Sequence, residues 1–581
     1  MKKITISMVI AVLITVSLKA QTIYEGYYHI LAQRYQSAIG VFEKMVAQNP
    51  NNTEAIYWLG HTYHHMDEDG SYNAKARQLY QKALETNGGS PFILVGLGHA
   101  DLLDNKTNDA RQKFEAALTA SREKKGNNAV ILSLIGQANV ETKAGDANYA
   151  VQILEEAILR DDKNLNAHYQ AANAYRKANP GNNGGRAYQE YQKCKEVDPT
   201  FAPASYKLAK LFETQKSWDL YIENLEDAIK RDPKFAPAYY ELFYYNFDRG
   251  KYSEAEGYLN KYIGTADPSH ANDYLYAQLC WVKKDYDCAI TKAEGVIADP
   301  ALKDKAKVHK LLADTYLKKG DYTNAVKNIE LYFKTEAPED LIAVAYKMKA
   351  DILVGMNAAP LDIANAYKQG VDADTVYKSK VDLLNQGIAY FGEKKLKDME
   401  AVLREKLISV RTTPSINDYF DLMKTYYDID NYTKSRENAL IMRDKYTDQV
   451  YGYDWAFKIA TIVDTIKIDS IAVPDAMQLY EFAQKDTVKY RNQYISAVRF
   501  LGGYYVNTAK NKEKALEFFG KWKDIDTANA EKIQSYIDQI KKMQPPKPAV
   551  TPKPGTKAPA KPKAVATKPK AKPKTGAVAK K

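Results

Sequence analysis

The chain has 581 residues, with 83 Lys and Arg against 72 Asp and Glu, a formal net charge of +11, 45 Tyr and only 3 Cys. Three cysteines exclude a disulfide framework, and past the amino terminus nothing resembles a membrane span. The last 37 residues carry eleven Lys and no acid, which accounts for the whole excess, so residues 1–544 balance at 72 against 72 and the body is not that of a polyanion binder.

At the amino terminus, Lys2 and Lys3 precede an apolar run from Ile4 to Leu18, with Ala20 as a cleavage residue. This pattern predicts a secretory signal peptide over residues 1–20. The run is short for a membrane span, and no cysteine near the cut invites a lipid. A soluble exported chain, periplasmic or envelope-associated and without a span once mature, is therefore expected. A retained signal anchor is the alternative.

Beyond it a small residue recurs at Ala38, Ala76, Ala110, Ala150, Ala187, Ala255, Ala289 and Ala325, with Tyr221 in the remaining slot, at steps of 34 to 40 residues. Such a period means one supersecondary unit copied many times, which predicts an all-α stack. Four residues after each marker stands a large apolar residue, Phe42, Tyr80, Phe114, Leu154, Tyr191, Leu225, Leu259 and Ile329, with Ala293 as the exception. Three further on come Met45, Ala83, Ala117, Ala157, Cys194, Ala228, Tyr262, Val296 and Tyr332. Those spacings lie on one helical face, so each unit has a second helix with a core-facing stripe. A first helix precedes it, marked by Gly26, Gly60, Gly98, Gly136, Ala172, Ala209, Ala277 and Ala313, where a missing side chain lets two helices approach. Pro50, Pro199, Pro233, Pro268, Pro300 and Pro338 then end units.

With Leu59-Gly60, Tyr63, Ala76, Tyr80 and Ala83 in the second unit, and Ala313, Tyr316, Gly320, Tyr322, Ala325 and Pro338 in the ninth, the chain resembles the tetratricopeptide repeat (TPR) family. The resemblance covers about nine units over residues 21–338. It implies a right-handed superhelical solenoid whose concave face binds protein or extended peptide. Residues 339–543 keep fragments of the pattern, as at Leu501-Gly502, Tyr505, Ala515, Phe519 and Trp522, and read as diverged repeats with a capping helix. A separate all-helical domain is the other reading.

Within the array, Tyr57, Tyr169, Tyr206, Tyr240 and Tyr274 share one slot on the first helices, a slot that looks toward the concave face in the family. Tyr244, Phe247 and Trp281 follow a turn later, with Arg176, Lys177 and Lys210 alongside. We expect Tyr169, Arg176, Tyr206, Lys210, Tyr240, Tyr244, Tyr274 and Trp281 to bind an extended peptide, phenols on its backbone and rings on its apolar side chains. Insertions at Asp67–Asn73, Gly145–Tyr149 and Asn179–Gly185 fall between the helices of a unit and mark one edge of the stack.

Two chemical groupings stand out. His61 and His65 lie one helical turn apart, with His99 in the equivalent slot of the next unit, an arrangement a metal would use once a carboxylate completed it. The plainer reading is a polar groove surface, so no metal or other cofactor is expected. Cys280 and Cys288 flank the turn of one unit and could pair in an oxidising compartment, while Cys194 takes a slot where other units place Ala. No nucleophile elbow, phosphate loop or zincin motif occurs, so an enzyme is not expected.

Residues 544–581, rich in Lys, Pro and Ala, have nothing to bury and are expected to be disordered. Export argues against nucleic acid, leaving anionic envelope polymers or lipid head groups as partners for such a tail. The sequence thus predicts an exported scaffold in the bacterial envelope, with a tail-borne polyanion or cell-wall tether as the alternative.

Overall fold

Each repeated stripe of apolar residues winds into a helix whose partner precedes it in the same unit. The computed structural model describes residues 23–67, 70–300, 302, 305–464 and 470–543. Both the predicted signal peptide and the Lys/Pro/Ala-rich segment lie outside them. Every regular element among the described residues is a helix, and the one β-bridge joins Glu123 and Gly126. Two compact units result, divided between Val376 and Tyr377.

In the first unit the helices come in pairs. They are α1 (23–31) with α2 (Tyr35–Gln48), α3 (Thr53–His65) with α4 (Ser71–Asn87), and α5 (Pro91–Leu103) with α6 (Thr107–Ala120). The middle pairs are α7 (Ala129–Glu141) with α8 (Ala147–Arg160), α9 (Leu165–Ala178) with α10 (Gly184–Val197), α11 (Ala202–Thr214) with α12 (Trp218–Arg231), and α13 (Ala236–Phe247) with α14 (Tyr252–Thr265). Then follow α15 (Ala271–Val282) with α16 (Tyr286–Ala298), α17 (Ala306–Lys319) with α18 (Tyr322–Thr335), and α19 (Ala343–Gly355) with α20 (Pro360–Ala373). First helices of successive pairs touch, as α3 touches α5, α5 touches α7 and α7 touches α9, so each pair closes its core on the next.

All eight marker alanines are buried, and so are Phe42, Tyr80, Phe114, Leu154, Tyr191, Leu225, Leu259 and Ile329 four residues on. Each such ring or branched side chain removed from water contributes about 1.5–3 kcal/mol. The glycines explain how it fits. A Cβ on Gly26 would overlap the Phe42 ring, one on Gly60 the Tyr80 ring, one on Gly98 the Phe114 ring and one on Gly136 the Leu154 side chain.

Between the helices of a pair the backbone turns through the left-handed region at a recurring place. Lys216 (φ 56°), Gly250 (φ 71°), Lys284 (φ 63°) and Gly320 (φ 77°) occupy it in consecutive pairs. That conformation closes the end of a helix and suits glycine best, so the two lysines hold it at a cost. Cys280 on α15 and Cys288 on α16 form a disulfide across such a turn, Cα atoms 5.8 Å apart, while Cys194 is a buried free thiol.

The first pair does more than start the stack. Tyr24 on α1 donates to Asp198 (2.6 Å), Tyr27 to Asn166 (2.7 Å) and Tyr28 to Asp232 (3.0 Å). Asp267 accepts from the amides of Gln36 (2.7 Å) and Ser37 (3.3 Å) at the start of α2. Asp198, Asp232 and Asp267 are the residues just before three of the unit-ending prolines. Ala32 is buried in the cluster of Ala202, Ala209 and Leu242, and Tyr28 meets Phe201 and Phe235 edge-on. Units five to seven therefore clasp the first.

The second unit holds α21 (Tyr377–Glu393), α22 (Lys397–Val410), α23 (Ile416–Asp428), α24 (Tyr432–Lys445), α25 (Val450–Val463), α26 (Ala472–Ala483), α27 (Arg491–Asn507), α28 (Lys512–Ile525) and α29 (Ala530–Lys542). Buried Asp475 on α26 pairs with Arg436 on α24 at 2.6 Å. Ala515 and Phe518 on α28 join Leu501 and Tyr505 on α27 in the last core cluster. Among the described residues no helix is long and apolar enough to cross a membrane.

Candidate functional site

The tyrosine series is divided by the clasp into two environments. Tyr169 is buried, with Phe201 edge-on at 5.5 Å and Tyr191 at 6.1 Å. Tyr206 donates to Glu241 (3.1 Å), whose carboxylate also takes Lys210 (3.1 Å) and Tyr221 (2.8 Å). Arg176 reaches the Lys210 carbonyl at 3.5 Å. Tyr169, Arg176 and Tyr206 line a cavity of about 880 Å³, walled by Ile30 and Leu31 of α1 on one side and by α7, α9 and α11 on the other. Asn179, Pro180 and Gly181, from the insertion between α9 and α10, border it as well.

Further along, Tyr240 is exposed and meets Tyr244 edge-on at 5.0 Å, and the Tyr244 hydroxyl donates to Gln278 at 3.4 Å. Tyr274 and Trp281 line a second hollow, a groove of about 550 Å³, together with Phe247, Leu311, Tyr332 and Met348. Lys307, Lys310 and Asp314 supply its polar edge, and burial raises the Asp314 carboxyl above its ordinary range. Apolar walls with a few convergent polar groups suit a side chain of an extended peptide.

A histidine group lies at the wall of the first cavity. His61, on the α3 face turned to α5 and α7, is fully buried between stacked Tyr57 and edge-on Trp58. His65, one turn later, stacks on Tyr35 and borders the cavity. Glu141, the last residue of α7, is the partner that sequence reasoning missed: its Oε2 stands 3.3 Å from His61 Nε2 and 3.8 Å from His65 Nε2. On the other side of His61 are His64 and His99, ring centres 4.6 Å apart. Burial, with the neighbouring histidines, holds His61 and His64 well below the ordinary imidazole value. Burial and His65 bring His99 to about 3. These rings are neutral at pH 7.

One long side chain holds the carboxylate and another the backbone beside it. Gln137, one turn back on α7, donates to Glu141 Oε1 at 2.8 Å. Lys177 of α9 donates to the carbonyls of Asn139 (2.8 Å) and Val140 (3.1 Å) and to that of Thr142, closing the end of α7 with a cation where the helix dipole is negative. Burial and the Arg176 guanidinium hold the nearby Lys207 ammonium below its ordinary value.

Residues 206–271, from α11 to the start of α15, match the family model described as tetratricopeptide repeat. Over these residues the chain carries tetratricopeptide repeats. Solved structures similar to the TPR array include the C-terminal part of a TPR repeat-containing protein from Cytophaga hutchinsonii, 22% identical, covering 45% of this chain and 98% of that one with a TM-score of 0.25. A TPR protein from Parabacteroides merdae is 16% identical, covering 46% and 100%, TM-score 0.31, and yeast Tom70 is 14% identical, covering 74% and 99%, TM-score 0.31. No curated protein matches the sequence.

Proposed function

We propose that this TPR protein is an exported, non-catalytic scaffold of the bacterial envelope that binds an extended segment of a partner protein along its first helices. TPR arrays serve protein interaction, and the family match names no activity. The observation that carries the reading is the groove of about 550 Å³ that brings together Phe247, Tyr274 and Trp281, three of the expected aromatic series. The amino-terminal half of that series faces α1, so the partner's contact lies on α13, α15 and α17. Lys307 and Lys310 stand among Asp314, Glu336 and Asp340, so the polar edge is mixed in sign and the aromatic walls carry the contact. Exported location is supported by the Lys2-Lys3 and apolar run, and by the Cys280–Cys288 bridge.

The test is photo-crosslinking from Gln278, inside the groove, and from Lys292 on α16, in cells expressing the full chain. The reading predicts one discrete adduct from Gln278 and none from Lys292, with the mature chain beginning near Gln21 in the envelope fraction. Adducts spread equally over both positions, or a chain retained in the cytoplasm, contradict it.

The eleven lysines after Gln544 favour a second reading, a tail-borne tether to anionic envelope polymer. Counterion release then governs retention, which falls steeply between 50 and 200 mM salt, by roughly 10³-fold or more for six or more contacts. Retention independent of both salt and tail removes that reading.

A further inference from the structure

The geometry points to a divalent-metal site of zinc type formed by His61, His65 and Glu141, with an open coordination position facing the cavity of the first unit.

Three ligand atoms converge there. His61 Nε2 and His65 Nε2 are 3.3 Å apart, Glu141 Oε2 is 3.3 Å from the first and 3.8 Å from the second. A tetrahedral zinc with bonds of about 2.0–2.2 Å holds its ligand atoms about 3.3–3.5 Å from one another, so an ion fits with shifts of a few tenths of an ångström. Histidines at i and i+4 on one helix, joined by a carboxylate from a distant helix, are donors that zinc takes.

The surroundings hold these donors in place. Tyr35 stacks on His65 and Tyr57 on His61, at 5.6 Å each. Gln137 binds Glu141 Oε1 and leaves Oε2 turned to the two rings, as an outer-shell partner does. Its Nε2 also lies 3.1 Å from His61 Nε2, a contact that ion binding replaces. The group also carries an uncompensated cost: His61 Nδ1, both ring nitrogens of His64 and Nδ1 of His99 are buried without a hydrogen-bond partner among the described residues. Buried polar atoms left this way are expensive; the four lie on three rings, none is a ligand atom of the His61, His65 and Glu141 site, and those of His64 and His99 belong to the competing location below. His65 and Glu141 border the cavity, so water completes four-coordination from that side.

A second triad, His61 with His64 and His99, shares the central ring but has no carboxylate and no cavity wall. It is the competing location within the same cluster. The tail offers no competing donor, since residues 545–581 contain no His, Cys, Asp or Glu.

The experiment is zinc titration of the untagged full chain after chelator dialysis, by calorimetry with metal analysis, with the cobalt spectrum as a second readout. We expect about one ion per chain and an intense four-coordinate cobalt band. Removing a ligand costs more than removing an outer-shell partner, so His65→Ala and Glu141→Gln should each weaken binding by about 100-fold or more. Melts of the chelated variants check that each still folds, and His99→Asn should bind as the wild type does. Sub-stoichiometric binding by the wild type, or unchanged affinity in His65→Ala and Glu141→Gln, overturns the site. Loss in His99→Asn with retention in Glu141→Gln overturns it too, by moving the ion to the other triad.

Discussion

Asp267, in the link between α14 and α15, accepts from the backbone amide and the hydroxyl of Ser37 at the start of α2. A carboxylate there takes the place of an N-cap, because Arg34, the residue before the helix, makes no side-chain cap of its own. Asp267→Ala should cost about 1 kcal/mol. Asp232→Ala, which frees the Tyr28 hydroxyl, should cost about the same. Hydrogen exchange of residues 23–37 is the direct reading: faster exchange confined to α1 and the start of α2 is expected, and an unchanged pattern would show that the clasp contributes nothing.

The glycines of the first helices divide by what their missing side chains would meet. Gly60→Ala and Gly98→Ala drive a methyl into Tyr80 and Phe114 and should each lose about 1–3 kcal/mol in urea unfolding. Gly257 on α14 has open space around it, and its alanine variant should gain about 0.5–1 kcal/mol. Equal effects at the three positions would refute the packing account.

Lys216 and Lys284 stand where Gly250 and Gly320 stand in neighbouring pairs, all with positive φ. Replacing either lysine by glycine should stabilise the array by up to about 1 kcal/mol, and Gly320→Ala should lose about as much. Thermal melts of the three variants decide this by sign alone.

Much of this was written in the sequence, for a physical reason. The markers from Ala38 to Ala325 and the residues four places on are local to one helix pair, and locality is what a period records. What escaped is long-range or carries no period. Asp198, Asp232 and Asp267 were visible as Asp-Pro dipeptides, yet only the proline was read, because an aspartate before a unit end is ordinary until a first helix lies against it. The histidine cluster was legible on α3, and His99 was expected beside His61 and His65. It lies with His64 on the far side of His61, while Glu141 arrives from α7 by the stacking of pairs, which no local spacing announces. The aromatic slot was readable, but its division between an enclosed cavity and an open groove depends on where α1 lies.

Acid should loosen the first unit. His99, held at about 3, and His64, held well below its ordinary value, take up protons in the unfolded chain before the folded one. Their contribution is full above about pH 6.5 and is lost as pH falls toward their folded values, at up to about 1.4 kcal/mol per pH unit for each ring. Glu141 acts with the opposite sign, since burial raises its carboxyl, so its contribution is present at low pH and lost on raising it. With chelator present, His99→Gln should flatten the fall in melting temperature between about pH 6 and 4 by one proton's slope. A parallel, merely shifted curve would contradict the assignment.

The scaffold reading meets its most direct test in affinity capture from detergent-treated envelopes at physiological salt, comparing the full chain, its Tyr274→Ala/Trp281→Ala variant and a chain ending at Gln544. The account predicts one stoichiometric protein with the full and shortened chains, lost with the double variant while the melting temperature holds. A partner that survives the double variant but disappears with the tail would contradict it.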